Sequence, residues 1–138
     1  MITRRTAEAK VYNEILQRFP EISGKIRDYA DLPYVLMGCI ADWLKKLRPE
    51  ELTPELIGRI SAFAKWCEEQ PEGKTASSDI YTIYIVGFFE NLFDSDTSRV
   101  LLPKLFSKED FVRNEKYLKT WIGEEDYNKA LKQYDAEA

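Results

Sequence analysis

The chain has 138 residues, of which 44% are apolar and 32% charged, and its net charge is −4. Such a chain makes one domain, residues 1–138, with enough material to bury a core without disulfides or a structural metal. The balance excludes a disordered tail and a membrane protein, and the absence of histidine excludes Ser–His and Cys–His nucleophile pairs and His-ligated metals.

The first residues, MITRRTAEAKVYNEILQRF, lack a continuous apolar run and a small-residue cleavage site, so no secretory signal is expected. Thr6 stands before Val11, Ile15, Leu16 and Phe19, which share one helical face. Its hydroxyl can accept from an unpaired amide of the first turn. Phe19-Pro20 closes that helix, because proline disfavours the α conformation of the residue before it. A turn or half-helix over residues 21–29 follows, interrupted at Ser23-Gly24. Asp31 is the expected cap of the next helix, with Pro33 in its first turn. Val35, Leu36, Cys39, Ile40, Trp43, Leu44 and Leu47 give it an apolar face, and Lys45, Lys46 and Arg48 complement the dipole at its end.

Thr53-Pro54-Glu55 is the clearest helix start. Leu56, Ile57, Ile60, Phe63, Ala64 and Cys67 form its stripe, and residues 68–78 read as a loop. The segment 80–93, IYTIYIVGFFENLF, is apolar on every side. Its β-branched and aromatic content would suit a buried strand. Its length, its run into Glu90-Asn91-Leu92-Phe93 and the Ser77/Ser78 cap signal predict a helix covered on most sides. Gly87 would then allow a neighbouring helix to approach closely. A polar loop, Asp94–Ser98, comes next. Ser107 opens a further helix carrying Phe111, Leu118, Trp121 and Ile122, broken near Asn114 and stopped at Gly123. The last helix, 124–134, presents Tyr127, Ala130, Leu131 and Tyr134, and the final four residues are expected to fray. The expected fold is all-α: a compact antiparallel bundle of roughly five to seven short helices around a buried central helix over about residues 79–93.

Little in this pattern carries chemistry. The six glycines are isolated, so there is no phosphate-binding loop. Cys39 and Cys67 belong to no metal or redox spacing and read as buried free thiols. Glu90 and Asp42 lie within apolar helices, where a buried carboxylate with a raised pKa could serve as acid or base. The more ordinary reading pairs them with a cation or turns them to solvent. No acidic run has the spacing of a calcium loop, so no metal or cofactor is expected. The longest apolar run is about half the ~20 residues a membrane helix needs, and a cytoplasmic location is expected.

Charge is unevenly spread: +3 over residues 1–48, −7 over 49–97 and zero thereafter. The acidic middle argues against nucleic-acid binding and suits a basic partner. Glu68, Glu69, Glu72, Asp94 and Asp96, in the two loops flanking the central helix, are the candidate partner-binding residues. These loops leave opposite ends of that helix, about 20 Å apart at 1.5 Å per residue. They form one patch only if the fold curls them together. Tyr81, Tyr84, Phe88 and Phe89 read mainly as core, with interface anchors as the alternative for one or two.

Phe19-Pro20-Glu21 after an amphipathic helix, followed by the apolar run ending Val86-Gly87-Phe88-Phe89-Glu90-Asn91-Leu92, resembles a family of small bacterial all-helical domains of uncharacterised function. Proteins of this style also occur as immunity proteins in toxin–immunity loci. The resemblance spans about residues 10–93 and brings no catalytic residue. The expected function is therefore a non-enzymatic inhibitor that binds a basic toxin domain. The alternatives are a helical adaptor or homodimer, and a small carboxylate enzyme or ligand sensor.

Overall fold

The computed structural model describes residues 6–75, 78–92 and 102–137, with the side chains of Glu90, Trp121 and Glu137 outside the description. The described residues are helical and include no strand. Helix α1 spans Ala7–Arg18, and the Thr6 hydroxyl accepts from the Ala9 amide at 3.2 Å. Pro20 then starts a single 3₁₀ turn, which leads into the short α2, Ser23–Ile26. Helix α3 runs Pro33–Lys46, but Asp31 does not cap it. Leu32 holds the cap position and supplies no side-chain bond. A cap must directly precede the first helical residue, and Asp31 stands one place too early and stays exposed.

Helix α4, Pro54–Glu69, starts where predicted, with the Thr53 hydroxyl accepting from the Leu56 amide at 3.2 Å. Its stripe of Leu56, Ile60, Phe63, Ala64 and Cys67 is buried. Arg59 ties it to the Phe19-Pro20 corner. The guanidinium grips Glu21 through two bonds of 2.8 and 2.6 Å, donates to the Arg18 carbonyl at 2.7 Å and lies over the Phe19 ring.

The apolar mid-chain segment is a helix, as its length suggested. It comprises α5 (Ile80–Tyr84), one wide π-type turn (Ile85–Phe89) and α6 (Glu90–Leu92). Asp79, not Ser78, caps it. One Asp79 oxygen accepts from the Thr82 amide and hydroxyl at 3.2 and 2.5 Å, and the other accepts from the Gly73 amide at 3.0 Å. Ser78 is engaged one step earlier, closing a turn on Thr75. Ser77 lies outside the described residues. The segment packs along α3, and Gly87 makes this possible: a Cβ there would come within 2.7 Å of Met37 Cβ and 3.1 Å of the Tyr34 carbonyl oxygen. Asn91 stabilises the wide turn by donating its side-chain amide to the Gly87 carbonyl.

Helices α7 (Leu102–Leu105), α8 (Lys108–Arg113), α9 (Glu115–Ile122) and α10 (Glu124–Glu137) complete the description. The Ser107 hydroxyl caps α8 by accepting from the Asp110 amide at 3.1 Å. Gly123, at φ 92°, ends α9 in a conformation that favours glycine. Helix α10 is part of the core and remains helical through Glu137, beyond the predicted end. Tyr127 stacks on Phe111 at 4.8 Å, and the Tyr134 hydroxyl donates to the Leu102 carbonyl at 3.1 Å. Cys67 is fully buried and Cys39 partly so; both are free. Among the described residues no helix is long and apolar enough to cross a membrane.

Candidate functional site

The break between α8 and α9 is where side-chain chemistry concentrates. Asn114 occupies it with φ −96° and ψ 13°, ending one helix and starting the next. It is the one buried polar residue among the described core positions. Its amide nitrogen donates to the Asp110 carbonyl, one turn back, at 2.8 Å. The same nitrogen reaches Glu68 Oε1, on α4, at 3.3 Å. Arg113 completes the bridge, donating to Glu68 Oε2 at 3.0 Å and pairing with Asp110 at 2.7 Å. The hydrogen bond from Arg113 to Glu68 is the leading reason its guanidinium is held more firmly protonated than usual.

Two grooves open on either side of this bridge, and Glu68, Arg113 and Asn114 line both. The outer one, about 620 Å³, is lined by Glu72, Asp79, Tyr81 and Tyr117 among others. Tyr117 is half exposed and meets Tyr81 edge-on at 4.9 Å. Burial, then the charge on Glu68, pushes the Tyr81 hydroxyl well above its ordinary value, so it stays neutral. The inner groove, about 520 Å³, has Tyr84, Phe89, Phe106 and Phe111 among its lining residues, with Lys65 and Glu69 also on its wall. Both fall in the size range of ligand sites. Phenols beside a carboxylate engaged by guanidinium and amide suit ion pairing, aromatic contact and hydrogen bonding.

The structure brings together three of the five predicted binding residues. Glu68 and Glu69 lie on the last turn of α4 and Glu72 in the loop beyond, all along the grooves. Asp94 and Asp96 lie outside the described residues. Glu68 is not a free surface acid, because Arg113 and Asn114 hold it. Asp42 is exposed and faces Lys45 at 3.9 Å, on the outside of α3. The Glu90 side chain lies outside the description. Tyr84, Phe88 and Phe89 are core, while Tyr81 sits at the groove edge. Sequence reasoning missed Arg113, Asn114 and Tyr117. The helix break at Asn114 was the available signal, but the pairing of Glu68 with a residue 45 positions away leaves no trace in local periodicity. Among the described residues no cluster of three or more Cys, Asp or Glu is arranged to hold a metal ion.

A family model described as a domain of unknown function (DUF7674) matches residues 12–110. No curated protein and no solved structure matches the chain.

Proposed function

We propose that this chain, which belongs to the DUF7674 family of domains of unknown function, is a non-enzymatic binding domain that docks on a basic surface of a protein partner. The biological role that best fits this reading is that of an immunity protein covering the active site of a bacterial toxin. The carrying observation is the outer groove: Tyr117, half exposed against Tyr81, stands among Glu68, Glu72 and Asp79, while Glu69 lines the inner groove that shares Glu68. A rigid aromatic anchor inside an acidic rim is the arrangement that supplies buried contact and steers a cationic partner. Lys116 and Arg113 line the same groove, so complementarity is set by Glu72 there and by Glu69 on the adjoining inner groove, and is not a uniform field.

The test places a photo-crosslinking residue at position 117 and expresses the chain in its native host. One protein with a basic contact surface should be captured, and capture should drop when Glu69 and Glu72 are both changed to Lys. Absence of any specific adduct, or capture unaffected by the charge reversal, refutes the reading.

A second reading, a homodimer, is favoured by one observation. Tyr29, Leu32 and Val35 are exposed large apolar residues that recur every three positions leading into α3. Light scattering after size exclusion decides it. A stable dimer dissociated by Leu32→Glu supports it, and a monomer at high concentration removes it.

A further inference from the structure

Gly123 is the only described residue with a positive φ, and it is the whole connection between α9 and α10. At φ 92° and ψ 155° its backbone lies in a region closed to nearly every residue with a side chain. Yet a Cβ built there would meet nothing within 4 Å. Space is therefore no obstacle at this position; the backbone angle is. The helical ladder is intact on both sides of it. The Gly123 amide donates to the Lys119 carbonyl at 3.1 Å, and the Tyr127 amide donates to the Gly123 carbonyl at 3.1 Å. Both are bonds of α-helical spacing. Rotation about residue 123 would bring the amides of residues 124–126 to the carbonyls of 120–122, four positions back, and fuse α9 and α10 into one helix over Glu115–Glu137.

A fused helix cannot keep α10 on its own core. Tyr127, Ala130 and Tyr134 are buried where they stand, with Tyr127 stacked on Phe111 and the Tyr134 hydroxyl donating to the Leu102 carbonyl. Carried into water, these side chains need cover. The surface that fits them is the seat a second copy vacates in the same motion. We infer that α10 exchanges between two copies of this chain, with Gly123 as the hinge. Each straightened chain lays its α10 on the other's Leu102 and Phe111, so those contacts are remade between copies and not lost. Arg113, Asn114 and Tyr117 stay with their own core, so each copy keeps its groove walls. This exchange does not rest on the function proposed above. It also differs from pairing through Tyr29, Leu32 and Val35, in which each copy would add surface contacts and give none up. Glycine's tolerance of the bend holds the closed form. A residue with a side chain disfavours the bend and favours a continuous helix, and both effects push toward exchange.

The exposed ion pair between Lys108 and Asp135, at 2.7 Å, joins α8 to α10 and reports which chain supplies the helix. A carbodiimide condenses that amine and carboxylate into an amide and takes up the water as a urea. Equal amounts of unlabelled and isotope-labelled chain are mixed at high concentration, warmed to just below the thermal transition, cooled and separated by size. After crosslinking and digestion, mass spectrometry shows whether each 108–135 link joins like or unlike isotopes. Gly123→Ala should raise the dimer-to-monomer ratio at least about tenfold over the parent chain, and its dimer should carry mixed-isotope links. A Gly123→Ala chain that stays monomeric overturns the inference. So does a dimer whose links join like isotopes only, and loss of that dimer on Leu32→Glu assigns it to the Tyr29, Leu32 and Val35 face. If Gly123→Ala does not fold, the parent mixture decides: mixed-isotope links in its dimer fraction support exchange, and their absence overturns it.

Discussion

At the residue scale, two positions show how local chemistry sets the packing. Gly87→Ala would gain about 1 kcal/mol of intrinsic helix preference on an isolated helix. Here the added methyl meets Met37 Cβ and the Tyr34 carbonyl, and neither is the flexible end of a side chain. The clash wins: a net loss of about 1–3 kcal/mol is expected, read as a lower urea midpoint with unchanged slope. Arg59 is the second position. Removing it by Arg59→Ala leaves the Arg18 carbonyl and Glu21 without their donor and should cost about 1–3 kcal/mol. Arg59 also holds the Glu21 carboxyl below its ordinary value of 4.5, chiefly by hydrogen bonding. The folded chain therefore releases that proton more readily than the unfolded one. The pair's stabilisation is complete above the ordinary glutamate value and fades as pH falls through the lower folded value. Glu21→Gln should lower the melting temperature at about pH 7, and the difference from the parent should shrink as pH falls through the lowered folded value.

At the element scale, caps decide where helices begin, and they mark the limit of what the sequence discloses. Thr6, Thr53 and Ser107 cap the helices they were expected to cap, because each stands directly before a periodic run with no rival beside it. The central helix was expected to take its cap from Ser77/Ser78, but the cap is the next residue, Asp79. Asp79 prevails because its carboxylate serves both ends of the turn, Thr82 on one side and Gly73 on the other. Asp79→Ala should cost about 1–2 kcal/mol, and hydrogen exchange should show the loss first at Thr82 and Gly73. The all-α class and the buried mid-chain helix were legible from apolar spacing and segment length. The π-type turn at Ile85–Phe89 was not, since it follows from how Gly87 seats against α3, a contact between elements distant in sequence. Glu68, Glu69 and Glu72 were legible as acids in the right neighbourhood. Their shared wall with Arg113, Asn114 and Tyr117 was not, because it is created by tertiary packing.

At the scale of the whole molecule, the C-terminal helix is structural. Tyr127, Ala130 and Tyr134 are buried, and two of them close over Phe111. Losing two buried aromatics removes on the order of 6 kcal/mol, comparable with the entire stability of a small domain. A chain ending at Gly123 should therefore lose its cooperative thermal transition, as followed by near-ultraviolet circular dichroism. The same helix indirectly supports both grooves, because Phe111, which it covers, lies on the helix that leads into Asn114. The family match ends at residue 110, while Arg113, Asn114 and Tyr117 follow it. The grooves thus join a wall inside the matched stretch to one beyond it.

The two thiols sit at unequal depth, Cys67 sealed inside α4's inward face and Cys39 incompletely covered on α3. An alkylating reagent would therefore read two different clocks in one experiment. Modification of Cys39 would time the brief breathing of a single helix, whereas Cys67 would wait for the entire molecule to open. Their ratio, followed while a binding partner is added, would reveal which motions that partner arrests without any engineered label.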